Sequence, residues 1–252
     1  MRERSRIIKG RARCALHGKY SVPMLALLIE LIVYLMVSAP FSQSLLVSTG
    51  FSSRIIYVVA NILLFMVLFE VGVGVSYIHL KIARNERPFL KDMMYAFQNR
   101  PDRFIVVFLA RDGVFFVCLL PTYILSFTEV TESNYVSFTL LTGALTIVGC
   151  IIALVITIRF ILAEYLMLDD TEMNGIEALK ESMRRMKGNN KNMLYIYASF
   201  IGYSLLGLLS FNVGFLWLVP YMTQTVTCFY LDAIGETFYR DAVKDPVIDV
   251  QV

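Results

Sequence analysis

Residues 136–158 read VSFTLLTGALTIVGCIIALVITI, 23 consecutive positions without a charged side chain. As a helix this run extends about 35 Å, enough for the roughly 30 Å hydrocarbon core of a bilayer. Hydrocarbon offers no partner for backbone amides and carbonyls, so one isolated crossing segment must be helical. The run is therefore expected to span a membrane and to continue through Arg159 and Glu164 towards the cytoplasm. Similar runs lie on both sides of it, at Tyr20–Ala39, Ile55–Leu80, Phe104–Phe127, Met193–Ser210 and Val213–Leu231. The last two are separated by only Phe211 and Asn212, which leaves room for a tight hairpin.

The fold class that follows is all-α, a polytopic integral membrane protein with about six transmembrane helices. Interfacial amphipathic helices are expected on its cytoplasmic side. Composition agrees: of 252 residues, 57% are hydrophobic and only 17% charged, with a mean hydropathy of +0.64. Soluble domains carry about a quarter of their residues charged. Here the charges are also gathered into blocks between apolar runs, and no polar stretch is long enough to build its own core. The expected organisation is a basic helix at 1–19, a six-span domain at 20–234 that includes a short helix at 174–187, and a tail at 235–252.

Basic residues are unevenly shared among the connecting segments. Seven precede the first span, six lie between Lys81 and Arg103, and five between Lys180 and Lys191, with Arg240 and Lys244 in the tail. The opposite loops, including Pro40–Ser53 and the acidic Thr128–Tyr135 with Glu129 and Glu132, carry Arg54 alone. Cytoplasmic loops hold the excess of Lys and Arg, so both termini are expected in the cytoplasm, which requires an even number of spans. Val37-Ser38-Ala39 resembles a signal-peptide cleavage site, but the long basic stretch before it and Pro40 after it favour a retained span. Met1–Lys19, with Ile7, Ile8, Ala12, Ala15 and Leu16 at partly helical spacing, is expected to lie on the inner membrane surface. Anionic phospholipid headgroups are its expected partner; nucleic acid is not.

Asn174–Gly188 reads as a short amphipathic helix. Asn174 and Glu177 have the spacing of a capping box, and Glu181 and Arg185 form an i,i+4 pair. Ile176, Leu179, Met183 and Met186 are expected on one face and Lys180, Glu181, Arg184 and Arg185 on the other. Gly188 should end the helix in a left-handed conformation.

Around this helix the order of residues is distinctive. Arg159-Phe160-Ile161-Leu162-Ala163-Glu164-Tyr165 and Leu168-Asp169-Asp170 precede Glu177-Ala178-Leu179-Lys180-Glu181-Ser182-Met183 and Met186-Lys187-Gly188. Ser199-Phe200-Ile201-Gly202, Leu216-Trp217-Leu218-Val219-Pro220-Tyr221 and Phe229-Tyr230 follow, and Ala12-Arg13, Leu16, Gly18 and Tyr20 complete the pattern near the start. This order resembles the domain of unknown function 975 family of bacterial multipass proteins, found mainly in Firmicutes. The resemblance implies a six-helix fold and a plasma-membrane address, and no established activity. The chain departs from it at Asn189, where the family often has His, and at Tyr203, where it often has Trp. Glu177–Ser182 and Gly188 also resemble the membrane portion attached to some glycerophosphodiester phosphodiesterases, whose separate catalytic barrel has no counterpart in this sequence.

Glu30, Glu70, Arg111, Asp112, Arg159 and Glu164 are charged positions in or beside apolar runs. A charge at that depth costs a few kcal/mol unless paired or wetted, so together they form a candidate intramembrane polar site. The alternative is hydrogen-bonded glue between helices. Arg111 and Asp112 are adjacent and should point about 100° apart. Lys180, Arg184, Arg185 and Lys187 form a candidate partner or lipid surface. Gly72 with Ser76, Gly149 with Ala153 and Ala198 with Gly202 are spaced for close helix approach, and Pro121 and Pro220 for kinks.

The histidines, His17 and His79, are isolated, and Cys14, Cys118, Cys150 and Cys228 lack paired spacing, so neither a metal nor a disulfide is expected. No zinc helix, nucleophile elbow or Gly-flanked intramembrane serine occurs. The expected function is non-enzymatic and cofactor-free: an adaptor, assembly or immunity-type protein that contacts lipid and a second membrane protein. The alternative is a small transporter or lipid-handling protein built on the buried charges.

Overall fold

Helix is the only regular element among the described residues. The computed structural model describes residues 2–47, 51–125 and 135–236, with side chains at all of these except 37–47, 51–55, 57 and 58. In order, α1 is Arg2–Leu16, α2 Ser21–Val47 and α3 Phe51–Ala83. A 3₁₀ turn at Leu90–Met94 leads into α4, Tyr95–Gln98. Then come α5, Pro101–Leu125; α6, Tyr135–Thr157; and α7, Ala163–Asp169, the last two joined through a 3₁₀ turn at Ile158–Phe160. The chain closes with α8, Gly175–Met186; α9, Asn190–Leu209; and α10, Phe215–Ile234. Much of the loop expected at Pro40–Ser53 is helical, because a helix already formed adds residues at little cost. The acidic stretch before Tyr135, with Glu129 and Glu132, and the tail beyond Glu236 lie outside the described residues.

Large apolar side chains point outwards. On α6, Val136, Leu140, Ile147 and Ile151 are exposed, whereas Gly149, Ala153 and Thr157 are buried. Water would not tolerate such an apolar surface, but lipid places large residues outside and small ones between helices. Gly149 illustrates the second half, since a Cβ there would lie 2.7 Å from the Cys118 carbonyl oxygen. Of the other small pairs expected at helix contacts, Gly72 and Gly202 have open space where a Cβ would be.

Four helical segments are long and apolar enough to cross a membrane: Val59–Ala83, Pro101–Leu125, Tyr135–Asp169 and Asn190–Leu209. A fifth arises if α1 and the start of α2, bent by 94°, count as one broken span. The expected sixth run forms α10, but Thr223, Gln224, Thr225, Thr227 and Asp232 leave it short of that threshold. Pro121 and Pro220 both lie inside continuous helices.

The chain divides into two compact units, Met1–Pro101 with Lys191–Val252, and Asp102–Asn190. In the first, α10 is central: Gln224, Thr225, Thr227, Cys228, Phe229, Tyr230 and Leu231 are all buried, with α1, α2 and α3 packed against it. The threonines satisfy themselves by bonding carbonyls one turn back, Thr225 to Tyr221 at 2.7 Å and Thr227 to Thr223 at 3.0 Å. His79 Nδ1 donates to Gln224 Oε1 at 2.7 Å, and Gln224 Nε2 donates to the His79 carbonyl at 3.2 Å. Of the four cysteines, which are all free, only Cys228 is enclosed.

The apolar stripe of α1 (Ile8, Ala12 and Leu16) is buried, and α1 packs on α10. That stripe therefore faces protein and is not available to lipid. Arg4 and Arg11 reach Asp232 at 2.6 and 3.7 Å, and Lys9 lies 4.9 Å from the Phe200 ring centroid while donating to Ser199 at 2.8 Å. Positive charge in this segment ties α1 to α9 and α10.

Candidate functional site

The second unit is organised around α8, which grows from its sequence as expected at both ends. Glu177 N–H donates to the Asn174 side chain at 3.0 Å, and Asn174 N–H donates to the Glu177 carboxylate at 3.4 Å. At the other end Gly188 has φ +87°, the left-handed conformation that releases the chain from the helix.

The buried face differs from the expected one. Gly175, Ala178, Leu179, Ser182 and Met186 face inwards, while Ile176 and Met183 are exposed. The reason is contact distance: α8 lies so close to α5 that a Cβ at Gly175 would be 2.5 Å from the Arg103 carbonyl oxygen. Small residues win that face, and the bulkier Ile176 and Met183 are turned out.

Two side chains fix α8 in place. Ser182 is fully buried; its hydroxyl donates to the Arg159 carbonyl at 2.7 Å and accepts from Leu162 N–H at 3.2 Å. Those are backbone groups freed by the break between α6 and α7, so the serine satisfies the discontinuity. Arg103, 2% exposed, donates from Nη1 to the carbonyls of Asp170, Thr171 and Met173 at 3.3, 2.5 and 3.2 Å. It holds the turn that enters α8. Neither role was evident from sequence, where Arg103 counted as a topology charge and Ser182 only as part of the Glu177–Met183 run. The available signal was a lone serine among charges on the helix that follows a span.

The outward face carries Ile176, Lys180, Met183, Arg184 and Lys187, at a spacing that makes one stripe. Glu181 sits beside it and accepts from Arg184 at 2.7 Å and from Arg185 at 2.7 Å. The Arg184 hydrogen bond foremost, then that of Arg185, holds the Glu181 carboxyl below its ordinary range. Arg185 is turned partly inwards, leaving Lys180, Arg184 and Lys187 as the open cations.

The candidate intramembrane charges fall into both units. Glu30 on α2 is half-buried and Glu70 on α3 is buried, both in the first unit. In the second, Arg111 approaches Glu164 at 3.4 Å and Asp112 at 3.7 Å. Adjacent residues on a helix were expected not to face each other, but the long arginine side chain folds back to its neighbour. Arg159 stands apart, its side chain exposed and its carbonyl engaged by Ser182.

Over residues 1–236 the chain matches the family model described as a protein of unknown function, DUF975. The chain belongs to this family. No curated protein and no solved structure matches it significantly. The DUF975 pattern gains a physical reading from the geometry. Within the matched residues, Arg159–Tyr165 and Glu177–Met183 meet through Ser182, and Asn189 donates to the Arg185 carbonyl at 2.9 Å.

Proposed function

We propose that this protein is a non-enzymatic adaptor, assembly or immunity-type protein of the bacterial plasma membrane, with both termini in the cytoplasm. It crosses the bilayer about six times, α10 serving as a polar span shielded by its neighbours. The face of α8 that carries Lys180, Arg184 and Lys187 recognises an acidic surface on a second membrane protein. The observation that carries this reading is the mounting of α8. A buried arginine, a buried serine and a capping box hold a 12-residue helix rigidly, while its cations and two apolar side chains are left open. A preorganised charged face loses little entropy on binding and selects partners by charge.

The test is native mass spectrometry of protein extracted gently from its own membrane, wild type beside the triple variant Lys180→Glu, Arg184→Glu, Lys187→Glu. A stoichiometric protein partner on the wild type that the variant loses, at unchanged thermal stability, supports the reading. A partner retained by the variant refutes the assigned face. The Arg111, Asp112 and Glu164 cluster favours a second reading, a small transporter or lipid-handling protein. A bound lipid or small solute without a protein partner, lost on Glu164→Gln, would select it.

A further inference from the structure

The segment between Arg87 and Arg100 is tied down on one side and apolar on the other. Its inward side is fixed at four points. Lys81 pairs with Asp92 at 2.9 Å, and the same carboxylate accepts from Phe89 N–H at 2.8 Å. The Tyr77 and Tyr95 rings lie 4.2 Å apart between centroids. Met93 is buried, and its backbone runs so close to α3 that a Cβ on Gly74 would collide with the Met93 carbonyl.

These anchors set a depth. Gly74 lies nine residues before the end of α3 at Ala83, about 13 Å along the helix axis. A headgroup layer is about 5–8 Å thick, taken as half the difference between a bilayer's full thickness and its hydrocarbon core. With Ala83 at the outer edge of that layer, the segment turning back alongside the candidate span Val59–Ala83 reaches a level below the headgroups. There it presents Phe89, Leu90, Met94 and Phe97, all exposed. Around them stand Arg87, Lys91 and Arg100, all exposed, while Asp92 is internally neutralised by Lys81.

We propose that residues 87–100 form an interfacial wedge. Phe89, Leu90, Met94 and Phe97 sit among the upper acyl chains of the base-bearing leaflet, and Arg87, Lys91 and Arg100 gather anionic phospholipid headgroups around them. Apolar side chains immersed beside cations held at headgroup level is the arrangement by which amphipathic elements hold to anionic membranes. The anchoring to α3 makes the wedge a permanent part of the embedded protein. This inference rests on membrane embedding and not on the adaptor reading.

The test uses full-length protein carrying Phe97→Trp in a Trp217→Phe background, which leaves one indole, reconstituted into vesicles of phosphatidylcholine and phosphatidylglycerol. Leu140→Trp in the same background reports embedding itself. Lipid brominated high on the acyl chain should quench the residue-97 indole, and aqueous iodide should not. At equal mole fraction, brominated phosphatidylglycerol should quench about two- to fivefold more strongly than brominated phosphatidylcholine. Met94→Trp provides the same readout independently should the first variant fold poorly. Quenching by iodide with no effect of brominated lipid, while residue 140 is still quenched by lipid, overturns the wedge. Equal quenching by the two brominated lipids overturns its preference for anionic headgroups.

Discussion

Ser182→Ala removes one oxygen atom and exposes how α8 is held. The hydroxyl satisfies two buried backbone groups, the Arg159 carbonyl at 2.7 Å and the Leu162 N–H at 3.2 Å. Alanine fits the same space and can satisfy neither. Each orphaned group costs about 1–3 kcal/mol, and because the two lie in one turn that relaxes as a whole, a combined loss of about 2–4 kcal/mol is expected. At about 2–4 °C per kcal/mol for a chain of this size, thermal unfolding followed by fluorescence in detergent should drop by about 5–15 °C. Amide exchange at Leu162 should accelerate at least about tenfold, the equivalent of 1.4 kcal/mol. A fall in midpoint of less than about 2 °C, with Leu162 exchange unchanged, would show that the α6–α7 break does not depend on the serine.

Asn174→Ala removes the cap of α8 and should cost about 1 kcal/mol, read as faster amide exchange confined to its first turn. Gln224→Leu strands the buried His79 ring and should cost about 1–3 kcal/mol, whereas the double change with His79→Leu should recover part of that loss in thermal unfolding. Glu181 titrates below its ordinary value of 4.5, so its pairing stabilises the protein above that pH and is lost as pH falls through the depressed pKa. The stability difference between wild type and Glu181→Gln should therefore shrink as pH is lowered from 5 towards 3, by a few tenths of a kcal/mol for an exposed i,i+4 pair. Gly74→Ala forces the Met93 backbone away from α3 and should cost about 1–3 kcal/mol, seen as a lower midpoint and poorer monodispersity on extraction.

Helical class and membrane embedding could be read directly from the chain, because hydrocarbon imposes length and hydropathy on each crossing segment. The caps of α8 were legible for a related reason: Asn174, Glu177 and Gly188 act within one turn of their own position. What sequence could not show depends on tertiary approach. The inward face of α8 was misjudged at Ile176 and Met183, because Gly175 lies against the Arg103 carbonyl and Ser182 against the α6–α7 break, which rotates those two side chains outwards while Leu179 and Met186 stay buried. The bases between Lys81 and Arg103 read as a topology signal, yet Lys81, Arg84 and Arg103 each hold a specific partner: Asp92, Glu236 and the turn before α8. Charge counting cannot separate a base that faces headgroups from one that closes a fold. The run that forms α10 read as a span by length, yet its polar stripe leaves it short of a span's hydropathy, with Thr225 and Thr227 satisfied by their own helix and enclosed by its neighbours.

The docking of α1 on α10 also sets a schedule. Arg4 and Asp232 are 228 positions apart, and ribosomes add about 5–20 residues per second. For about 10–45 s after α1 leaves the exit tunnel its partner has not yet been made. During that interval Ile8, Ala12 and Leu16 lack the α10 surface that α1 packs on in the finished fold. The first unit closes only when its last helix arrives, so a chain stopped short of Phe215 lacks the strut that joins its beginning to its end.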